Sequence, residues 1–137
     1  MEAKNGFLKL KKSSEIKKVI ICSGKVYFDL LEAREKLKRN DVIMFRVEQL
    51  YPFPIKSLVK ELKPFAKNAK FYWCQEEPKN MGAWFSVRDY IQWTLDYIKA
   101  NNREISYIGR SPAASPATGY AKRHVSQQKE IIKNVFS

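Results

Sequence analysis

Four short apolar runs, each followed by a segment with helical periodicity, constrain the fold of this chain more than any other feature. Continuous apolar runs rich in β-branched residues are typical of strands that are buried on both faces. Segments of a dozen residues between such strands form right-handed crossovers. The sequence therefore predicts an α/β fold, a three-layer sandwich in which helices cover both faces of a mostly parallel sheet. The predicted strands are residues 18–22, 42–47, 70–74 and 105–108, and the predicted helices are 26–39, 55–64, 83–99 and a last one from about 121.

The stretch 75–84 is predicted to mark the edge of this sheet. It begins where the third apolar run stops, and Pro78 is expected to prevent a central strand from continuing because proline cannot donate a ladder hydrogen bond. Gly82 then permits a turn before the third helix. In a parallel sheet such strand ends share one edge, where α/β proteins bind ligands. We expect the following polar residues to gather at or near that edge: Lys25, Glu76, Arg110, Lys122, Arg123 and His124.

Length and composition indicate one globular domain of 137 residues, with residues 1–15 as an N-terminal arm and 16–137 as the folded part. The net charge of +12 raises the possibility of polyanion binding. The lysines are spread along the chain without an RNA-binding or zinc-finger pattern, so a solvated basic surface is favoured over a nucleic-acid face. No apolar run reaches the ~18 residues of a membrane span. Neither nucleic acid nor a membrane is therefore expected as a partner.

Candidate catalytic groups are few. Ser23-Gly24-Lys25 follows a predicted strand but lacks the spacing of a phosphate loop. Glu76 and Glu77 are neighbours on an extended segment and point to opposite sides, so caps or salt bridges are favoured over an acid/base pair. His124 is the single histidine, and Cys22 and Cys74 lie in separate strand-like runs typical of buried, reduced thiols. No catalytic, cofactor-binding or metal residue is assigned.

The third helical segment carries two apolar stripes. One consists of Trp84, Val87, Ile91, Leu95 and Ile98, and the other consists of Tyr90, Trp93 and Tyr97. One stripe can cover the sheet, whereas the second needs another surface. The second stripe is predicted to be an interface, and the alternative is that the C-terminal helix covers it.

Four spaced blocks resemble one family. They are Val47–Pro54, Trp73–Trp84, Tyr107–Arg110 and Ala114–Tyr120, and Cys22–Tyr27 and His124 with Gln127-Gln128 also fit. In this order they are similar to the C-terminal domain of the decarboxylating, thiamine-diphosphate-dependent component of the 2-oxoglutarate dehydrogenase complex. The resemblance covers roughly residues 16–137. It implies a transketolase C-terminal-like domain whose mostly parallel sheet contains one reversed strand.

The resemblance also implies a role. The full-length enzyme is expected to decarboxylate 2-oxoglutarate in the citric acid cycle and to use thiamine diphosphate and magnesium. The cofactor signature of the family, Gly-Asp-Gly followed by paired asparagines, is missing, and Asn101-Asn102 lie in a turn without it. The chain is therefore expected to be an inactive fragment of that oxidoreductase, with a structural and regulatory role and no cofactor of its own.

The partners implied by the resemblance are the preceding domains, a second subunit of a homodimer and the lipoyl-bearing succinyltransferase, in the bacterial cytoplasm or mitochondrial matrix. Some similar domains respond to acetyl-CoA or AMP, so an anionic effector is predicted at Arg110, Lys122, Arg123, His124 and Lys25. Two alternatives stay open. One is a free-standing basic module that binds nucleic acid or another polyanion, and the other is a small enzyme that uses Glu76, Glu77 and His124.

Overall fold

A computed structural model describes residues 2–3, 8–111 and 121–137, with side chains for 8–111 and 125–137. It confirms the predicted alternation of strands and helices. The strands are β1 (Glu2–Ala3), β2 (Lys18–Cys22), β3 (Val42–Arg46), β4 (Lys70–Pro78) and β5 (Ile105–Arg110), and the helices are α1 (Val26–Leu37), α2 (Ile55–Leu62), α3 (Trp84–Tyr97) and α4 (Ala121–Val135). No helix among the described residues is both long enough and apolar enough to cross a membrane.

The sheet has the order β1-β3-β2-β4-β5. The four strands from β2 to β5 are parallel, and the short β1 pairs with β3 in the antiparallel direction. The prediction of a mostly parallel mixed sheet is thus confirmed. Because the parallel strands all end at the same side, the polar residues that follow them share one edge of the molecule.

Helices cover both faces of this sheet. On one face α2 and α3 pack on alternate strand residues such as Val19, Ile21 and Phe71. On the other face α1 and α4 pack on the intervening residues, among them Ile20 and Cys22. This alternation follows from the pleat, which sends successive side chains to opposite faces. The protein is therefore a three-layer α/β sandwich with two hydrophobic cores.

Several local predictions were wrong for physical reasons. β4 continues through Pro78 instead of ending at Cys74, and a register irregularity separates the two residues. β2 stops at Cys22, opposite Cys74, so the last part of β4 has no neighbouring strand on that side. The missing N–H of Pro78 therefore costs no hydrogen bond between strands there. The helical period places Leu37 on the same face of α1 as Val26 and Leu30. Leu37 is nevertheless exposed because it is the last residue of α1, whereas Arg34, one turn earlier, is buried and donates to the Val42 carbonyl at 3.4 Å.

Two further details differ from the sequence predictions. Of the apolar residues that the sequence places on the last helix, Val125 is exposed, whereas Val135 and Phe136 are buried together with Ile131. Gly109 lies inside β5 and not after it. The loop predicted over residues 109–119 lies, apart from residues 109–111, outside the described residues.

Candidate functional site

The side chain of Gln75 organises the carboxyl edge between β4 and α3. It is almost fully buried, with 2% of its surface exposed. Its oxygen accepts hydrogen bonds from Trp73 Nε1 at 2.9 Å and from the backbone N–H of Trp84 at 3.1 Å. Its amide nitrogen donates toward the carbonyl groups of Pro78 and Met81, both at 2.9 Å. One side chain thus fixes the end of β4, the turn that follows and the first residue of α3.

The turn itself requires glycine at position 82. Gly82 has a φ of +67°, a backbone conformation that side chains disfavour. A Cβ atom there would lie 3.1 Å from the Glu77 Cβ and 3.2 Å from the amide group of Gln75. The tight packing of this turn against Gln75 therefore sets where α3 begins.

A cleft of about 540 Å³ opens beside this turn, and we refer to it as the β4–α3 cleft. Its walls combine apolar groups with one carboxylate and include Leu50, Tyr51, Trp73, Glu77 and Tyr90. Tyr51 is 91% exposed and precedes a cis peptide bond to Pro52. This mixture of aromatic surface and a single carboxylate can bind an apolar group that carries a hydrogen-bond donor.

The two adjacent glutamates face opposite sides of β4, as predicted. Glu77 lines the β4–α3 cleft. The Glu76 carboxylate instead accepts a hydrogen bond at 3.0 Å from Gln128, whose amide also donates to Asp29 at 3.1 Å. Because the two carboxylates belong to different environments, they do not form a shared acid/base pair.

Arg110 lies at the carboxyl edge, where it was predicted, and is held by neighbouring groups. Its Nε donates to the backbone carbonyl of Glu76, and its Nη1 donates to Gln127 Oε1 at 3.0 Å. Tyr107 OH donates to the backbone carbonyl of Arg110 at 2.7 Å. The guanidinium group therefore joins β5 to β4 and α4.

The other residues that were predicted to bind an anion are Lys25, Lys122, Arg123 and His124. Lys25 is exposed at the start of α1, and its side chain makes no hydrogen bond or ion pair with a described residue. Lys122, Arg123 and His124 lie in the first turn of α4, and their side chains are outside the described residues.

Three potential nucleophiles lie on the strands near the carboxyl edge, namely Cys22, Cys74 and Tyr107. Burial raises the pKa of the Cys22 thiol to about 12 and raises that of Cys74 further. Burial likewise raises the pKa of Tyr107 to about 12. All three groups are consequently protonated near neutral pH and are poor nucleophiles. Among the described residues, no three His, Cys, Asp or Glu side chains meet in a cluster that could hold a metal ion.

The second stripe of α3 is exposed, as the sequence predicted. Tyr90, Trp93 and Tyr97 are 44%, 50% and 63% exposed. The ring of Tyr90 stacks on Phe53 at 5.1 Å, and the ring of Trp93 stacks on Tyr97 at 5.1 Å. The C-terminal helix does not cover them, because α4 packs on the opposite face of the sheet. Tyr90 belongs to both the stripe and the β4–α3 cleft, so the two form one continuous surface.

Sequence reasoning placed the stripe but missed Gln75. A glutamine next to two glutamates resembles surface composition, yet its position two residues after Trp73 indicates the same face of the strand. This alternation, together with the turn at Gly82, could have indicated that Gln75 is buried. Arg110 and Glu76 were both predicted at the edge, but their mutual contact through a backbone carbonyl could not be read from residue types.

Comparison with known proteins gives a consistent result. A family model described as 2-oxoglutarate dehydrogenase C-terminal matches residues 2–136. The chain is 52% identical over 129 residues to proteins named 2-oxoglutarate dehydrogenase E1 component from Brucella anthropi, Brucella ovis and Brucella canis. The match covers 94% of this chain and 13% of each relative. The chain therefore spans about an eighth of the length of those relatives.

Proposed function

Because this chain belongs to the 2-oxoglutarate dehydrogenase C-terminal family, we propose that it acts as a structural and regulatory domain of a 2-oxoglutarate dehydrogenase E1 component. The observation that carries the structural role is the exposed aromatic surface formed by the α3 stripe and the β4–α3 cleft. Burial of these exposed rings against another protein surface would be favourable by about 25 cal/mol for each Å² of apolar area removed from water. In the whole enzyme, this surface is covered by the preceding part of the same polypeptide or by a second subunit.

The enzyme to which the domain contributes is an oxidoreductase that decarboxylates 2-oxoglutarate and passes the succinyl group to a lipoyl-bearing succinyltransferase. Its thiamine diphosphate and magnesium are assigned to other domains. The described residues bring no acidic cluster together that would suit a magnesium diphosphate, so no step of the reaction is assigned to this chain. A location in the cytoplasm or mitochondrial matrix stays a prediction.

A chimeric enzyme tests the structural role. The aligned C-terminal segment of the Brucella anthropi E1 component is replaced by this chain, and 2-oxoglutarate-dependent activity and oligomeric state are measured. We expect the chimera to be active and an enzyme that lacks the segment to be inactive. Trp93→Ser should weaken assembly in size-exclusion chromatography, whereas the control Val125→Ser, at a site of similar exposure on α4, should not. Equal behaviour of the two variants would place the interface elsewhere.

The regulatory role requires an anionic ligand at the carboxyl edge. Arg110, Lys25 and the first turn of α4 with Lys122, Arg123 and His124 remain the proposed contacts. AMP and acetyl-CoA are titrated calorimetrically into the wild-type chain and into Lys25→Ala and Arg110→Ala, and thermal unfolding checks that each variant is folded. Loss of one charge-assisted contact should weaken binding by about 1.5–3 kcal/mol. No binding to the wild type, or binding that both variants retain, would leave Arg110 with its structural role alone.

The isolated chain should also show no affinity for thiamine diphosphate. Titration with the cofactor and magnesium is the measurement, and a micromolar dissociation constant would contradict the proposed division of labour. Turnover of 2-oxoglutarate by the chain alone would favour the alternative of an independent enzyme.

A further inference from the structure

The edge of the sheet opposite the candidate site is strongly basic, and the topology explains how this arises. Parallel strands begin at one edge, and each crossover helix ends there before the next strand starts. The lysines that are spread along the sequence are consequently brought together in space. Exposed cations at this amino edge are Lys11, Lys12, Lys17, Lys38, Lys63, Lys67, Lys70, Lys99 and Arg103. We call this set the basic edge.

Hydrogen bonds between the connecting segments show that the basic edge is one surface. The backbone N–H of Lys70 donates to the Lys17 carbonyl at 2.9 Å. Asn101 Nδ2 donates to the Lys67 carbonyl at 2.8 Å. The backbone N–H of Lys11 donates to the Asn40 carbonyl at 3.0 Å. The segments that carry these lysines are thus in direct contact.

Charge compensation at the basic edge is incomplete. Arg39 forms an ion pair with the nearby Asp41, with its Nε 3.0 Å from the carboxylate. Within residues 8–111 and 125–137, Lys17, Lys67 and Lys70 form no ion pair. Burial and the like charges of Arg39 and Lys70 lower the pKa of Lys18, partly opposed by Asp41. The cations of the basic edge are therefore only partly neutralised.

The need to cap helix ends accounts for only part of the basic edge. Cations beside helix C-termini offset the negative end of the helix dipole, which explains Lys38, Lys63 and Lys99. Lys11, Lys17 and Lys70 lie in connecting segments or at the start of a strand, where no such benefit exists. These additional lysines favour attraction of an anionic partner.

We propose that the basic edge docks a carboxylate-rich protein segment. Nearly all of its exposed cations are lysines, which act as hydrated point charges and pair with carboxylates without the fixed geometry of an arginine fork. The exposed aromatic stripe lies on another face, on α3. Tyr72 is the one aromatic residue among those that line the groove at this edge, and it is only partly exposed, with the Lys18 ammonium 5.5 Å above the centre of its ring. It is therefore a poor stacking platform for bases. A polar groove of about 410 Å³ is lined by the cations Lys70 and Arg103, the amides of Asn101 and Asn102 and one carboxylate, Glu104. Its cations and amide donors outnumber that carboxylate, so the groove gives an acidic chain a place to bind.

The test uses poly-L-glutamate of about 20 residues as the probe and a single-stranded oligonucleotide of matched charge as the comparison. Binding to the 137-residue chain is measured by fluorescence anisotropy at two salt concentrations. One variant carries Lys17→Gln, Lys67→Gln and Lys70→Gln. The control carries Lys56→Gln, Lys60→Gln and Lys129→Gln on the exposed surfaces of α2 and α4, so both lose the same charge.

We expect the edge variant to bind poly-L-glutamate about tenfold more weakly, as three screened charge pairs would require, and the control to change less than about twofold. Amide resonances of residues 67–70 and 101–103 should shift on binding. Equal losses in the two variants would show that net charge alone attracts the probe and would overturn the proposal. Tighter binding of the oligonucleotide, lost in the edge variant, would make the edge a nucleic-acid surface instead, and no binding of either probe would also refute it.

Discussion

The burial of Gln75 makes its replacement the sharpest test of how the carboxyl edge is built. Gln75→Leu keeps a similar volume but removes the acceptor for Trp73 Nε1 and for the N–H of Trp84. Each buried donor left without a partner costs about 1–3 kcal/mol, so the free energy of unfolding should fall by about 2–6 kcal/mol. Since single domains are stable by only about 5–15 kcal/mol, this is a large fraction of the total. Urea unfolding followed by tryptophan fluorescence measures it.

Gln75→Glu separates the hydrogen bonds from the shape of the side chain. A carboxylate keeps both acceptor roles but turns a negative oxygen toward the carbonyl groups of Pro78 and Met81. Burial and these carbonyl groups should raise the pKa of the new carboxyl in the folded state. Stability should then be retained below the unfolded value of about 4.3 and lost as the pH rises through the folded value.

Gln49→Glu is the matched control, because Gln49 also donates to a backbone carbonyl, that of Tyr51 at 3.1 Å, but at an exposed position. It should change stability by no more than about 0.5 kcal/mol at either pH. The reasoning fails if Gln75→Leu costs less than about 1 kcal/mol, or if Gln75→Glu depends on pH no more than the control does.

Three other predictions concern glycine, the thiols and the aromatic stripe. Gly82→Ala should destabilise the protein by about 2–3 kcal/mol and Gly24→Ala by about 1 kcal/mol. Both glycines have a positive φ, but an added Cβ would meet neighbouring atoms only at position 82. Equal shifts of the thermal unfolding midpoint in the two variants would contradict this. The free energy of unfolding should fall by about 1.4 kcal/mol per pH unit above the ordinary thiol value of 9.0 for each buried thiol, because the unfolded chain releases a proton that folded Cys22 retains to about pH 12. Cys22→Ala should reduce that slope in urea titrations, and an unchanged slope would assign it to other groups. Trp93→Ser should alter self-association in sedimentation while the unfolding midpoint stays within a few degrees, and unfolding of this variant would mean that the stripe is core.

The parts of the fold that depend on local pattern were predictable. β-branched runs located the strands, and the 3.6-residue period separated the buried stripe of α3 from the exposed one. The end of β4 was not predictable, because the effect of Pro78 depends on how far β2 extends beside it. The burial of Arg34 was missed since a long side chain can reach the Val42 carbonyl from a position that periodicity alone treats as polar.

The candidate site was predictable in position but not in detail. Glycines and charges after the strands identified the carboxyl edge, and Glu76 and Arg110 do lie there. Which donor meets which carbonyl depends on backbone positions that come from distant segments, such as Arg110 and Gln127 on β5 and α4. The basic edge was missed for the same reason, because lysines that are distant in sequence become neighbours only through the parallel topology.

The contact of Lys18 with the end of the chain has a consequence for the order of folding. Its ammonium group donates to the carbonyl oxygens of Val135 and Ser137, across 117 and 119 residues. The first parallel strand therefore obtains these partners only after the last helix has been synthesised, and until then Ile20 and Cys22 lack part of their cover. During translation the sheet would be protected on the α2–α3 side first, and a cysteine-reactive label applied to ribosome-bound chains of increasing length would report when the second side closes.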